Sequence, residues 1–258
     1  MSSGVAMVNG ALMPLERATL PVTDPALTVG WSVFETLQVR PGQLGRAAVH
    51  LARLAASCEA AFVPFPGEAL LLDELAALGE AFGAPCRVRL TLTGGGNRVL
   101  VATAVEADRR HRPVRAVRGV HRDEPYLGGR TKHGSRLPWV VAQLRSGCDE
   151  VLLVDAAGRF TEGTTCAVLA VLDGALWLAP DDGRVLPSTT VDAVLARADR
   201  LGIRWRREGP PAAGPWQGLY VASTTRDLAP VVELDGDVLP GWESVGRALA
   251  AAADDDLE

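Results

Sequence analysis

One side chain differs in its chemistry from every other basic residue of the chain. Lys132 is the only lysine among 26 basic residues, and the others are arginines. A guanidinium stays protonated in proteins, so arginine cannot replace lysine where the amine must lose its proton and act as a nucleophile. Its rarity alone leaves two explanations. Lys132 is either a lysine without a special role in an arginine-rich chain, or a residue that forms a Schiff base.

The composition excludes several classes of protein. The 258 residues carry a formal net charge of −5, with 48% hydrophobic and 22% charged residues, which is typical of a globular protein. A mildly acidic chain lacks the strongly basic face of a nucleic-acid binder. No apolar run reaches the roughly 20 residues that cross a bilayer. The N-terminal segment lacks the features of a secretory signal, so we expect a cytoplasmic protein without nucleic-acid or membrane partners.

The residues that most often bind metals are scattered along the chain. No two cysteines have C-x-x-C spacing, and no two histidines have H-x-x-x-H spacing. Zinc sites normally show such pairs. The sequence therefore predicts no metal, and the four thiols are interpreted as small buried apolar groups.

Apolar periodicity and turn residues predict alternating strands and helices. Helices are expected over residues 47–63 and 68–83, strands over Arg87–Thr93 and Arg98–Val105, and a further helix over Ser135–Gly147. Another helix is expected in VDAVLARADRLG, with Ser188 or Thr189 as its N-cap. Three dipeptides predict hairpins: Asn9-Gly10, Asp173-Gly174 and Asp235-Gly236.

A change in composition predicts the division of the chain. Residues 107–122 concentrate arginine. We expect a small N-terminal domain over residues 1–106, a linker over 107–119, and a larger C-terminal domain over 120–258 that carries the lysine.

Five motifs follow one another in an order that resembles the class IV aminotransferase family, the pyridoxal 5′-phosphate (PLP) enzymes of fold type IV. The motifs are VFETLQV, HLARLAAS, KHGSRL, FTEGTT and LPSTT, and the resemblance covers about residues 5 to 240. The family includes branched-chain and D-amino-acid aminotransferases and 4-amino-4-deoxychorismate lyase. The resemblance implies an α+β, two-domain fold like that of the D-amino-acid enzyme, with a small N-terminal α/β domain, a barrel-like C-terminal domain, and a homodimer.

The resemblance also implies roles for individual residues. Lys132 would hold PLP through a Schiff base and then move a proton at the substrate Cα, while Glu162 would keep the pyridine nitrogen protonated. The planar fork of Arg53 would bind the phosphate. Further phosphate contacts would come from Thr224 and from the helix start at Ser188, Thr189 and Thr190. Hydroxyls at both places are also typical of ordinary caps and turns.

Several positions depart from the family pattern. Gly30-Trp31-Ser32 stands where Gly-Asp-Gly is common, Gln38 replaces an arginine, and Ala167 replaces an asparagine. Ser188 and Val191 also replace the glycine and arginine of a G-x-T-R element. The departures leave Lys132, Glu162 and Arg53 in place, and they make Trp31 and Gln38 candidate substrate-binding residues. Arg98 is a candidate partner for a substrate carboxylate.

Three functions fit this resemblance. The segment around Lys132 is most like the lyase, which would form 4-aminobenzoate and pyruvate for folate biosynthesis from a small anionic substrate that bears an amino group. The second is an aminotransferase of the branched-chain or D-amino-acid type, which needs a 2-oxo acid acceptor. The third is a non-catalytic protein that keeps the fold.

Overall fold

The computed structural model describes residues 4–123 and 126–253, which divide into two compact units. The first unit comprises the described residues up to Glu106 together with Thr131–Arg136. The second comprises Ala107–Arg130 and the described chain from Leu137 onward.

The described part of the first unit contains a five-stranded antiparallel sheet in the order β2-β1-β5-β4-β3. Its strands are β1 (Val5–Val8), β2 (Ala11–Pro14), β3 (Ser32–Val39), β4 (Cys86–Thr93) and β5 (Arg98–Ala104). Asn9 and Gly10 have φ angles of 52° and 87°, which fit the turn that Asn-Gly favours. The predicted hairpin between β1 and β2 is confirmed.

Helices cover one face of this sheet. The short helix α1 (Pro25–Thr28) precedes β3, and α2 (Ala47–Ala60) and α3 (Glu68–Phe82) follow it. Alternate residues of β3 and β4, such as Val33, Leu37 and Leu90, form one buried cluster with Leu51 and Leu75 of the helices. Because side chains alternate along a strand, the intervening residues lie on the opposite face of the sheet. The helices predicted over residues 47–63 and 68–83 are confirmed.

In the described part of the second unit, nine strands form a sheet, six of which close into a barrel in the order β9-β12-β13-β6-β7-β8. The barrel closes because β8 pairs with both β7 and β9. The nine strands are β6 (Val114–Val120), β7 (Glu150–Val154), β8 (Phe160–Gly163), β9 (Ala167–Leu172), β10 (Ala175–Leu178), β11 (Trp205–Arg206), β12 (Gly218–Ser223), β13 (Asp227–Leu234) and β14 (Asp237–Val238). The predicted barrel-like domain is confirmed.

The helices of the second unit are α4 (Leu137–Ser146), α5 (Thr189–Arg200) and α6 (Ser244–Ala251). Ser188 is the N-cap of α5, because its side chain accepts a hydrogen bond from the backbone N–H of Val191 at 3.2 Å. The other two predicted hairpins are confirmed at Asp173-Gly174 and Asp235-Gly236, where all four φ angles are positive. Every described helix is too short or too polar to cross a membrane.

The structure differs from the predicted division at the start of the second unit. All of β6 except Val120 lies within the expected linker, and the strand pairs in parallel with β7 and β13. Val114 and Ala116 are buried in the barrel. Arg115 and Arg118 are exposed and form ion pairs with Glu233 and Asp235. The arginines that resemble a solvated linker therefore occupy exposed positions of a strand.

The position of Lys132 also differs from the prediction. Thr131–Arg136 belongs to the first unit, although the sequence assigned this segment to the C-terminal domain. The backbone N–H of Phe34 donates to the carbonyl of Lys132 at 2.9 Å, and that of Gly134 donates to the carbonyl of Ser32 at 2.7 Å. These bonds attach the lysine segment to the edge strand β3.

Candidate active site

Lys132 is held at the edge of the first sheet by its backbone. Its N–H donates to the Ser57 hydroxyl of α2 at 3.1 Å, and its carbonyl accepts from Phe34 of β3. The Nζ atom lies 5.0 Å from the centre of the Phe34 ring. The chain thus fixes the lysine backbone between a strand and a helix, and its amine lies near the ring of Phe34.

A buried carboxylate, Glu35, forms the centre of a charged cluster next to Phe34. Arg53 donates to both of its oxygens, from Nε at 2.6 Å and from Nη2 at 2.8 Å, and Nδ1 of His50 lies 3.0 Å from Oε2. Burial alone raises the pKa of this carboxyl. The hydrogen bonds from His50 and Arg53, together with the positive charges of Arg53 and Lys132, outweigh burial and lower the pKa to about 2. Glu35 therefore stays ionised and orients Arg53.

The orientation of Arg53 fits phosphate binding. A guanidinium has five N–H donors, and Glu35 uses one on Nε and one on Nη2. The edge formed by Nη1 and the second N–H of Nη2 is turned away from Glu35. That edge has the planar fork geometry that matches phosphate oxygens.

Removal of the Glu35 charge is expected to weaken folding in a pH-dependent way. Because the pKa falls from an ordinary 4.5 to about 2, the ionised form stabilises the fold by about 3 kcal/mol above pH 4.5, and this contribution is lost as the pH falls towards 2. Urea unfolding of the wild type and of Glu35→Gln should differ most at pH 7 and converge at acidic pH. The exposed Glu59→Gln on α2 is the control, and a difference that stays constant with pH would contradict the prediction.

Two arginines of β4 lie on the sheet face opposite α2 and α3. Arg87 and Arg89 pair with Gln38 and Thr36 of β3, and the guanidinium carbon of Arg89 lies 3.8 Å from the centre of the Phe34 ring. Partial burial and the charge of Arg87 lower the pKa of Arg89. Among the described residues, neither arginine forms an ion pair with a carboxylate. Like charges placed side by side attract an anion.

Arg89 was not predicted from the sequence, although a signal was present. The segment CRVRLT alternates arginine with apolar residues, which places both arginines on one face of a strand. Arg98, the residue selected instead, lies on the helix-covered face of the sheet. Its Nη2 donates to Glu74 of α3 at 2.8 Å, and its Nε also donates to both oxygens of that carboxylate.

The other two candidate substrate residues also lie in the first unit. The indole N–H of Trp31 donates to the carbonyl of Ala61 at 2.7 Å, and the indole ring lies where a Cβ on Gly94 would be. Gln38 lies opposite Arg87 on the face that carries Arg89. Of these two residues, Gln38 is therefore the one that lies on the same sheet face as Arg87 and Arg89.

In the second unit, Glu162 lies on β8 opposite Ala167 of β9. Its Oε2 accepts a hydrogen bond from the backbone N–H of Leu186 at 3.3 Å, two residues before the cap of α5. The turn after Glu162 is held by the buried Glu150, whose carboxylate accepts hydrogen bonds from the hydroxyls of Thr164 and Thr165. The structure thus brings Glu162 close to the segment that starts α5.

The predicted phosphate-binding hydroxyls occupy two places in the second unit. Ser188 caps α5, and Thr189 and Thr190 in its first turn are buried. Thr224 lies in the turn between β12 and β13. The free N–H groups of a helix start and nearby hydroxyls are suitable donors for phosphate oxygens. The hydroxyls and the helix start of the second unit are therefore groups of the chemical type that binds a phosphate such as that of PLP.

Comparison with known proteins gives the same chemistry. The family model described as amino-transferase class IV matches residues 32–234. The branched-chain-amino-acid aminotransferase of Escherichia coli is 29% identical over 94 residues, which are 36% of this chain and 30% of that enzyme. The matched region is therefore less than a third of that curated relative.

Solved structures share the fold over nearly the whole chain. A branched-chain aminotransferase from Thermoproteus uzoniensis, solved with norvaline, has a TM-score of 0.85 at 20% identity and covers 98% of this chain and 94% of its own. A hypothetical aminotransferase from Mycobacterium tuberculosis in its PLP-bound form has a TM-score of 0.86 at 23% identity, with 98% of both chains covered. The same Mycobacterium protein has also been solved with α-ketoglutarate and PMP.

Proposed function

Because the chain belongs to the class IV aminotransferase family, we propose that it is a PLP-dependent enzyme in which Lys132 carries the reaction. The observation that carries this proposal is the position of the only lysine. Its backbone is held by Ser57 and Phe34, and its charge acts on Glu35, which orients Arg53.

We propose these cofactor-binding roles for each unit separately. In the first unit, Lys132 would bind the aldehyde carbon through Nζ, and Arg53 would bind the phosphate. In the second unit, Glu162 would hold a proton on the pyridine nitrogen, while Thr224 and the start of α5, Ser188–Thr190, would donate to phosphate oxygens. When bound, PLP supplies an electron sink for negative charge at the substrate Cα.

Lys132 would also act as the base and then as the acid of the reaction. The amine of Lys132 would take the proton from the substrate Cα and would return a proton later in the turnover. An arginine in this position would stay protonated.

The pair Arg87 and Arg89 indicates the substrate class. Both arginines lie on the sheet face that carries Phe34, and among the described residues neither is neutralised by a carboxylate. We propose that Arg89 receives a carboxylate of a small anionic substrate that bears an amino group. This role replaces the one expected for Arg98, because Arg98 is paired with Glu74.

Two reactions remain compatible with this chemistry. The first is the 4-amino-4-deoxychorismate lyase reaction, in which loss of the Cα proton leads to release of pyruvate while the ring becomes aromatic 4-aminobenzoate. It is supported by the likeness of KHGSRL around Lys132 to the lyase. The second is amino transfer to a 2-oxo acid, which is supported by the aminotransferases that match the chain.

Two assays separate these reactions. PLP-loaded protein is mixed with 4-amino-4-deoxychorismate and no 2-oxo acid, and pyruvate and 4-aminobenzoate are measured. Equal amounts of both products would support the lyase. No product there, but amino transfer from L- or D-amino acids to 2-oxoglutarate, would support the aminotransferase. Neither activity, despite bound PLP, would overturn both in favour of the non-catalytic alternative.

Two further expectations from the sequence analysis remain proposals. One is a homodimer, which is supported by the absence of buried residues from α4 and by the exposure of its Leu137 and Leu144. The other is a cytoplasmic location.

A further inference from the structure

Arg226 is a buried arginine in the turn between β12 and β13. Ser223 and Asp227 pair across the start of this hairpin, and the N–H of Arg226 donates to the carbonyl of Ser223 at 3.1 Å. The carbonyl of Arg226 accepts from the N–H of His111 at 2.9 Å. Only 4% of the residue is exposed, so the backbone is fixed at both its N–H and its carbonyl, and the side chain is enclosed.

The guanidinium of Arg226 has no anionic partner in the part of the chain that the structure describes. Its Nη1 atom is buried and has no hydrogen-bond acceptor. The adjacent carboxylate of Asp227 is already taken by Arg197, which donates to both oxygens at 2.9 and 2.8 Å. A buried charge without a partner is costly, whereas a guanidinium that meets an oxyanion forms strong hydrogen bonds.

The strand register places Arg226 close to the turn that follows Glu162. Glu162 lies opposite Ala167, and Ala167 lies opposite Ala222, so these three residues form one row across β8, β9 and β12. Adjacent strands are about 4.8 Å apart, which puts the Cα atoms of Glu162 and Ala222 about 10 Å apart. The turn with Thr224 and Arg226 lies just past this row, on the same side as the turn Gly163–Cys166.

The effect of Arg226 on the pKa of Cys166 also places Arg226 near the turn that follows Glu162. Burial and the negative charge of Glu150 raise the pKa of the Cys166 thiol, and the positive charge of Arg226 opposes that rise. Glu162 adds a smaller effect that raises the pKa. The charges of Arg226, Glu150 and Glu162 therefore all reach the thiol at the start of β9.

We propose that Arg226 receives an anionic oxygen group of the bound ligand, either the phosphate of the cofactor or a carboxylate of the substrate. The identity of the ligand rests on the proposed function, but the demand for an oxyanion comes from the buried and unpaired Nη1. The competing explanation is that Arg226 only balances the charge of the buried Glu150.

The test compares Arg226→Met and Arg226→Lys with the wild type. Arg145→Met is the matched control, because Arg145 is an exposed arginine of the same unit. Apo protein is titrated with PLP, with pyridoxal, which lacks the phosphate, and with inorganic phosphate. PLP-loaded protein is titrated with succinate as a carboxylate probe. Thermal unfolding of every variant is recorded. If Arg226→Met does not fold, Arg226→Lys provides the comparison, because it keeps the positive charge but lacks the planar guanidinium.

Loss of a charged hydrogen-bond donor is expected to weaken the affected affinity by about 10- to 100-fold. If weaker PLP and phosphate binding accompanies unchanged pyridoxal binding, the oxyanion is the phosphate. If only succinate binding is weaker, it is a substrate carboxylate.

Affinities within twofold of the wild type for all four probes would overturn the inference. Recovery of lost thermal stability in the double variant Glu150→Gln/Arg226→Met would then assign Arg226 to charge balance alone. Failure of the proposed function would give a different result. The wild type itself would then bind neither PLP nor pyridoxal, which would refute cofactor binding. Phosphate titration of the apo variants still decides the role of Arg226 in that case.

Discussion

Replacement of Lys132 by alanine is expected to abolish covalent attachment of PLP and to lower turnover by at least about 10²- to 10⁴-fold, the range for loss of a general acid–base group. The variant loses both the amine that binds the cofactor aldehyde and the base for the substrate Cα proton. In the wild type, borohydride reduction of the PLP-loaded protein should fix one cofactor per chain. The measurement is intact mass followed by peptide mapping.

The composition of the chain makes this experiment decisive. Lys132 carries the only ε-amine, so the α-amine of the chain is the only other amine that can form an adduct. Lys132→Arg is the matched variant, because it keeps the positive charge but cannot form the Schiff base. It should be as inactive as the alanine variant. An adduct that persists in either variant, or that maps to the N-terminus in the wild type, would refute the role of Lys132.

Replacement of Glu162 by glutamine is expected to leave PLP attached to Lys132 and to lower kcat by about 10²- to 10³-fold, as for loss of one preorganised electrostatic group. An amide removes the negative charge that keeps a proton on the pyridine nitrogen. The deprotonated ring then accepts electrons less well. The measurements are kcat and the pH dependence of the absorbance band of the bound cofactor.

Two variants control this second experiment. Glu162→Asp keeps the charge at a shorter reach and should retain more activity than the glutamine variant. Glu208→Gln changes an exposed glutamate of the same unit and should behave like the wild type. If Glu162→Gln retains kcat within twofold and an unchanged absorbance profile, Glu162 does not act on the pyridine nitrogen.

Local features of the chain were predictable from the sequence. Asn9-Gly10, Asp173-Gly174 and Asp235-Gly236 all form the predicted turns, because positive φ angles at adjacent positions favour these residue types wherever they occur. The helix at Ala47–Ala60 follows from apolar spacing within a single element. The chemistry and rarity of Lys132 made it a candidate, and the resemblance to the family implied its role.

The motif order also determined the family and the barrel before any contact was known. The family model confirms the former over residues 32–234, and the closure of β8 onto β9 confirms the latter. The boundary of the second unit was harder to predict from the sequence. Composition describes the average of a segment and does not show which of its positions are buried. The exposed arginines of β6 are typical of a solvated linker by composition, although Val114 and Ala116 of the same strand are buried.

Only the tertiary structure decided which distant polar groups meet. Arg53 and Glu35 are 18 residues apart, Arg98 and Glu74 are 24 apart, and Lys132 and Ser57 are 75 apart. A sequence determines the chemical type of each side chain and the face of the element on which it lies. It does not show which distant face packs against it, because strand register and helix packing are set by burial of apolar residues throughout the unit. For that reason the lysine was found from its chemistry and from the order of the motifs, whereas the pairing of Arg98, the patch of Arg87 and Arg89, and the buried Arg226 required the structure.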